Sequence, residues 1–262
     1  MEQHRLLELM KDKPQCRLRF RPISELTSET GETEWLWNGY IAKGALTVLA
    51  GQPKVGKSTL AFGLFAQRVS ARPLLGLSVS GGQTLLLSEE REASLSEKAN
   101  DLHVAEGLHI LCRQDVRMLS WPEVIDDALL YCRAQSIDLL VVDTFDKWGG
   151  HDENHPGQVV EALQPLLMAA AEGLGVLILH HQRKAAGSYG EAVRGSNALT
   201  GGVDVVMELE RAGSIRVLRS LSRFRSTPEE VFAHLCGDHF EHIELDEQDF
   251  APYVPSHSSA LN

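Results

Sequence analysis

"ALTVLAGQPKVGKSTL", residues 45–60, joins three signals in one short stretch. An apolar run comes first, Gly51 to Thr59 then fit G-x-x-x-x-G-K-[ST], and a helical pattern opens near Lys57. A strand feeding a glycine-containing loop that opens a helix is the context in which this pattern binds a nucleoside triphosphate. Glycines let the backbone wrap closely around phosphates, so consecutive N–H groups and the helix N-terminus meet the negative charge. The expected ATP-binding residues are Gly51, Gln52, Pro53, Lys54, Val55, Gly56, Lys57, Ser58 and Thr59. Lys57 is expected to reach the β- and γ-phosphates, and Ser58 to ligate Mg²⁺.

Working outward, apolar runs at 84–88, 108–112, 138–143 and 175–180 alternate with helical patterns near 57–69, 91–102, 122–135 and 158–173. Continuous Leu/Val/Ile runs of this length suit strands buried on both faces of a parallel sheet. After residue 203 the pattern becomes two hairpins, one about a Gly-Ser turn and one about "CGD". The expected fold class is α/β: a mostly parallel central sheet flanked by helices, with C-terminal antiparallel hairpins. Asp143 ends the run "IDLLVVD", where a carboxylate can hold Mg²⁺ directly or through water. Alone such an Asp says little; paired with the phosphate loop it is a strong sign.

The stretch 79–92, "VSGGQTLLLSEERE", carries two competing clues. Ser80-Gly81-Gly82-Gln83 matches the core of the ABC-transporter ATPase signature, which lies far beyond the phosphate loop and shortly before the metal-binding aspartate. Here Ser80 comes only 22 residues after Ser58 and 63 before Asp143. The glycines therefore read as the turn entering a strand. That strand ends in Glu89 and Glu90, where a carboxylate can orient and deprotonate an attacking water. Glu90 is the expected base and Glu89 the second choice. The alternative is that both begin the next helix and favour its positive end.

Composition bounds the rest. At 262 residues, 43% hydrophobic and 23% charged, the chain suits one large domain with small additions. The expected division is an N-terminal arm (1–34), an ATPase domain (35–245) and a loose tail (246–262). A net charge of -11 excludes a general coat of cations for nucleic acid but leaves room for a local channel. Four scattered cysteines suggest neither a disulfide framework nor a zinc knuckle. With no membrane-length apolar run and a charged start, a cytoplasmic protein without membrane partners is expected.

A glutamate on the strand between phosphate loop and Asp143 resembles the RecA-like P-loop ATPases. "LILHHQRK" (177–184), "RGSNALTGGVDVVMEL" (194–209) and "SRFR" (222–225) narrow the likeness to the plasmid RepA-type helicases, related to DnaB. That resemblance spans about 35–244. It implies a γ-phosphate sensor at His181, with His180 as substitute, and a nucleic-acid-facing loop at 182–199 carrying Arg183, Lys184 and Arg194. A second channel loop, 145–156, would offer Lys147 and Trp148. Arg223 and Arg225 would act as fingers on the neighbouring subunit's nucleotide, both on one side of a strand. The residues alone leave blander readings open: buried histidines, a solvated loop, a charged strand edge. The resemblance implies a homo-oligomeric, hexameric ring hydrolysing Mg²⁺-bound ATP between subunits to translocate on or unwind single-stranded DNA. The alternative is a KaiC-like regulatory or scaffold ATPase acting on a protein partner.

Overall fold

The computed structural model describes residues 20–25, 32–102, 104, 106–116, 118–152, 155–181 and 197–244. The chain divides into two units, 1–33 and 34–262. In the first, residues 23–25 form one helical turn. The expected tail, 246–262, lies outside the described residues.

In the second unit, β1 (Trp35–Trp37) and β2 (Ile41–Ala42) pair as a small sheet. The phosphate-loop strand β3 (Leu46–Gly51) leads to α1 (Lys57–Ser70). Then follow β4 (Gln83–Ser88), α2 (Glu92–Asp101), β5 (Leu108–Cys112), α3 (Trp121–Gln135) and β6 (Ile137–Asp143). A short α4 (Phe145–Gly149) precedes α5 (Pro156–Ala171), β7 (Gly175–His181) and α6 (Asn197–Gly202). The described residues finish with β8 (Val205–Ala212), β9 (Ile215–Ser222), β10 (Glu230–Cys236) and β11 (His239–Ile243).

Among the described residues, nine strands form one sheet in the order β11-β10-β9-β8-β3-β7-β6-β4-β5. From β8 to β5 every pairing is parallel; β9, β10 and β11 extend the β8 side antiparallel. The unbroken apolar runs are explained by burial on both faces. Leu49, Leu86, Val141 and Leu179 pack in one cluster with Leu64 and Phe65 of α1 and Leu95 of α2. Their neighbours Val48, Leu85, Val142 and Ile178 pack in the other, with Ile125 of α3 and Leu163 and Leu166 of α5. Successive strand side chains point to opposite faces, so one run serves both layers. Helix α3 starts at a capping box, Ser120 N donating to Glu123 Oε2 at 2.7 Å. Among the described residues no helix is long and apolar enough to cross a membrane.

Gly81 and Gly82 do enter β4, and a packing demand accompanies the turn. Arg68, 1% exposed, lies beneath them, ion-paired to Asp138 and donating through Nε to Thr84 Oγ1 at 3.2 Å. A Cβ at Gly82 would sit 2.5 Å from Arg68 Nη2 and 2.8 Å from Asp138 Oδ1.

Candidate nucleotide-binding site

Parallel pairing brings distant residues to one edge of the sheet. Gly51 is in register with His181, Leu179 with Asp143, and Asp143 with Ser88. The carboxyl ends of β3, β7, β6 and β4 therefore open onto one crevice, the place where open α/β sheets bind ligands.

The phosphate loop fits this edge tightly. A Cβ at Gly51 would meet the Leu209 carbonyl oxygen at 2.7 Å, and Gly56 caps α1 with φ 114°, a left-handed value that favours glycine. Lys57 is buried; its Nζ donates to the Gly51 carbonyl at 2.7 Å and the Gln52 carbonyl at 3.0 Å. It also lies 3.0 Å from His181 Nδ1. A lysine ammonium has only donors, so the ring nitrogen accepts. Burial pushes Lys57 down to about 8, against the pull of Asp143 and Asp146. Burial and the Lys57 charge likewise lower His181, favouring a neutral imidazole.

Ser58 Oγ faces Asp143 Oδ2 at 3.5 Å. Burial, with the charges of Glu90 and Glu89, pushes the Asp143 carboxyl up to about 6 despite Lys98 and Lys57. A buried carboxyl crowded by two more and faced by a hydroxyl suits a divalent cation with oxygen ligands.

The two glutamates diverge. Both precede α2, which starts at Glu92, so neither lies in its first turn. Glu89 N donates to the Asp143 carbonyl at 2.9 Å, and its Oε1 accepts from Thr144 Oγ1 at 3.2 Å. Glu90 turns to the helix that follows it: Lys98 Nζ donates to its two oxygens at 2.5 and 2.7 Å, and Ser94 Oγ donates at 2.8 Å. Glu89 thus shares the β6 edge with Asp143, while Glu90 is ion-paired with a lysine. Neither Thr144 nor Lys98 belongs to a sequence motif. The hydroxyl beside Asp143 was visible in "VVDT", but nothing in the sequence pairs Lys98 with Glu90.

His180 faces away from His181 and lies 3.5 Å, Nδ1 to Oδ1, from Asp146 on α4. Burial works against ionisation of Asp146, but the facing His180 imidazole holds its carboxyl below the ordinary range. One expectation for 145–156 is corrected. Residues 145–149 are helical, and Trp148 is 2% exposed, tilted against Trp121 with the Arg113 guanidinium over its ring. It has no free face for a base, while Lys147 is exposed.

Arg223 and Arg225 lie beyond the end of β9, in a turn, so the shared strand face expected for them is corrected. Arg223 donates through Nη1 to Asp204 Oδ1 at 3.0 Å and through Nη2 to the Gly201 carbonyl at 3.2 Å; Arg225 is exposed. Arg183, Lys184 and Arg194 lie outside the described residues.

Residues 12–187 match a protein family described as an AAA domain. The chain is also similar to the DNA repair protein RadA of Bacillus subtilis, 27% identical over 86% of this chain and 46% of that protein. RadA of a Synechocystis species is 28% identical over 83% of this chain and 45% of its own length. The chain thus spans somewhat less than half of these curated relatives. With the sheet order and the phosphate loop, these likenesses establish a RecA-like P-loop ATPase fold.

Proposed function

This chain belongs to the AAA domain family, and on that premise we propose that it is a cytoplasmic, Mg²⁺-dependent ATPase acting on single-stranded DNA as a ring of identical subunits. The observation that carries the reading is the convergence of Lys57, Ser58, Asp143, Glu89 and His181 on one sheet edge. Incoming phosphates draw Lys57 away from the Gly51 and Gln52 carbonyls, and the loop N–H groups of 51–59 cradle them. Ser58 and Asp143 would hold Mg²⁺, which when bound offsets charge on the phosphate oxygens. Glu89 orients the attacking water and takes its proton, because Glu90 is committed to Lys98 and Ser94. His181, released by Lys57, donates to the γ-phosphate from the strand that leads into 182–196.

Arg225, exposed, serves as the finger on a neighbour's nucleotide, and Arg223 braces its turn through Asp204. Arg183, Lys184 and Arg194 grip DNA phosphates without reading sequence. The RepA/DnaB-like helicase assignment rests on the sequence motifs. The DNA repair relatives favour a DNA substrate over other ring ATPase roles.

The KaiC-like regulatory reading keeps some support from the net charge of -11 and the Glu89-Glu90 pair. ATP turnover measured with and without single-stranded DNA separates the two. The DNA reading predicts stimulation that Lys184→Ala with Arg194→Ala abolishes; a rate indifferent to DNA favours the regulator. Turnover per subunit rising with protein concentration supports sites completed by a neighbour.

A further inference from the structure

The outer wall of the phosphate loop is built by the antiparallel hairpins, which the loop motif does not include. Arg216 on β9 is only 7% exposed, and its Nε donates to the Val55 carbonyl at 2.8 Å. Its Nη1 donates to the Ile215 carbonyl at 3.3 Å, which fixes the guanidinium plane. From the neighbouring strands, Phe240 and Leu235 close on the next residue. A Cβ at Gly56 would lie 3.1 Å from Phe240 Cζ and 3.3 Å from Leu235 Cδ2.

We propose that Arg216 is a positioning residue for nucleotide binding: by holding the Val55 carbonyl outward, it turns the Gly56 N–H inward to the phosphates. The reason is the geometry of a trans peptide, whose C=O and N–H point in opposite directions from one rigid plane. A donor gripping the carbonyl from outside therefore sets the direction of the N–H on the other side. The grip also gives the carbonyl of buried Val55, which lies just before the helix cap, a hydrogen-bond partner. A charged donor makes the stronger kind of hydrogen bond. Packing of Phe240 and Leu235 against the glycine keeps the plane from rolling back. The inference rests on the reading that phosphates bind inside this loop.

Side-chain topology supplies a matched test. Gln carries an N–H donor, Nε2, at the same chain position as Arg Nε, whereas Met places a methyl group there. Arg216→Gln, Arg216→Met and Arg216→Lys are compared with wild type for affinity toward a fluorescent, non-hydrolysable ATP analogue with Mg²⁺, each with its melting curve. Arg216→Met is expected to weaken binding about tenfold, and Arg216→Gln to stay within about threefold of wild type. Arg211→Met, which removes an exposed cation directly across the strand pair, leaves affinity unchanged. A folded Arg216→Met with wild-type affinity overturns the proposal, as does equal weakening by Met and Gln. Should Arg216→Met fail to fold, Lys decides. Gln tighter than Lys supports a donor at the Nε position, while Lys as tight as or tighter than Gln points to charge alone and overturns it. Wild-type protein that binds no analogue, or binding untouched by Lys57→Ala, sinks the nucleotide reading itself and is thereby distinguished.

Discussion

Lys57 Nζ and His181 Nδ1 stand 3.0 Å apart, so the phosphate-loop lysine and the end of β7 hold each other across the crevice. On the proposed reading Lys57 serves binding in the ground state, whereas His181 acts where charge develops at the γ-phosphate. His181→Ala is therefore expected to lower kcat by about 10²-fold while changing the Kd for ATP less than threefold or so. Steady-state kinetics beside equilibrium binding of an ATP analogue check this split. A change confined to Kd would move His181 out of the chemical step.

The two adjacent carboxylates are expected to part in function. Glu89→Gln should cut turnover by about 10²-fold or more with nucleotide affinity retained, and Glu90→Gln by far less. Glu90→Gln breaks the pair with Lys98, a half-exposed contact worth at most about 1 kcal/mol. Single-turnover hydrolysis by the two variants is the measurement. The reverse ranking would return the base to Glu90.

Asp143 is crowded by like charge, and Asp143→Asn removes that repulsion. In nucleotide-free protein near pH 8 the variant should melt a few degrees above wild type, equivalent to about 1–3 kcal/mol. Mg²⁺ should raise the wild-type Tm and leave that of the variant unchanged, and the variant should lose Mg²⁺-dependent hydrolysis. Differential scanning calorimetry with and without Mg²⁺ reads both effects.

Much of this was legible because burial writes itself into residue type. Strands covered on both faces need uninterrupted Leu, Val and Ile, and those runs mark β3, β4, β6 and β7 to within a residue or two. Side-chain direction is a different matter. Glu89 and Glu90 are identical in the sequence, and only the turn into α2 aims one at Thr144 and the other at Lys98. "SRFR" looks extended, yet Ser222 Oγ accepts from Phe224 N at 2.9 Å and the Phe224 ring meets Trp35 edge-on, so the chain turns there. Trp148 sits among polar residues, but a short helix rotates it into the core. Arg216 carried no signal, since its partner is a backbone carbonyl 161 residues away.

The "SGGQ" glycines make a stability prediction independent of nucleotide. Gly82→Ala drives a methyl group into the pair of buried Arg68 with half-buried Asp138. The loss should be roughly 2–4 kcal/mol, a Tm drop of several degrees. Gly81→Ala, whose Cβ would meet nothing nearer than 3.5 Å, should cost far less. Thermal melts of the two variants side by side test the packing account.

The central claim is that ATP lies in the 51–59 loop with the end of β4 poised over its terminal phosphate. A structure of the complex with Mg²⁺ and a non-hydrolysable ATP analogue tests it most directly. The account predicts the γ-phosphate against Lys57 and His181, with a water held between it and the Glu89 carboxylate. A nucleotide bound away from this loop, or a terminal phosphate beyond one-water reach of both Glu89 and Glu90, would contradict it.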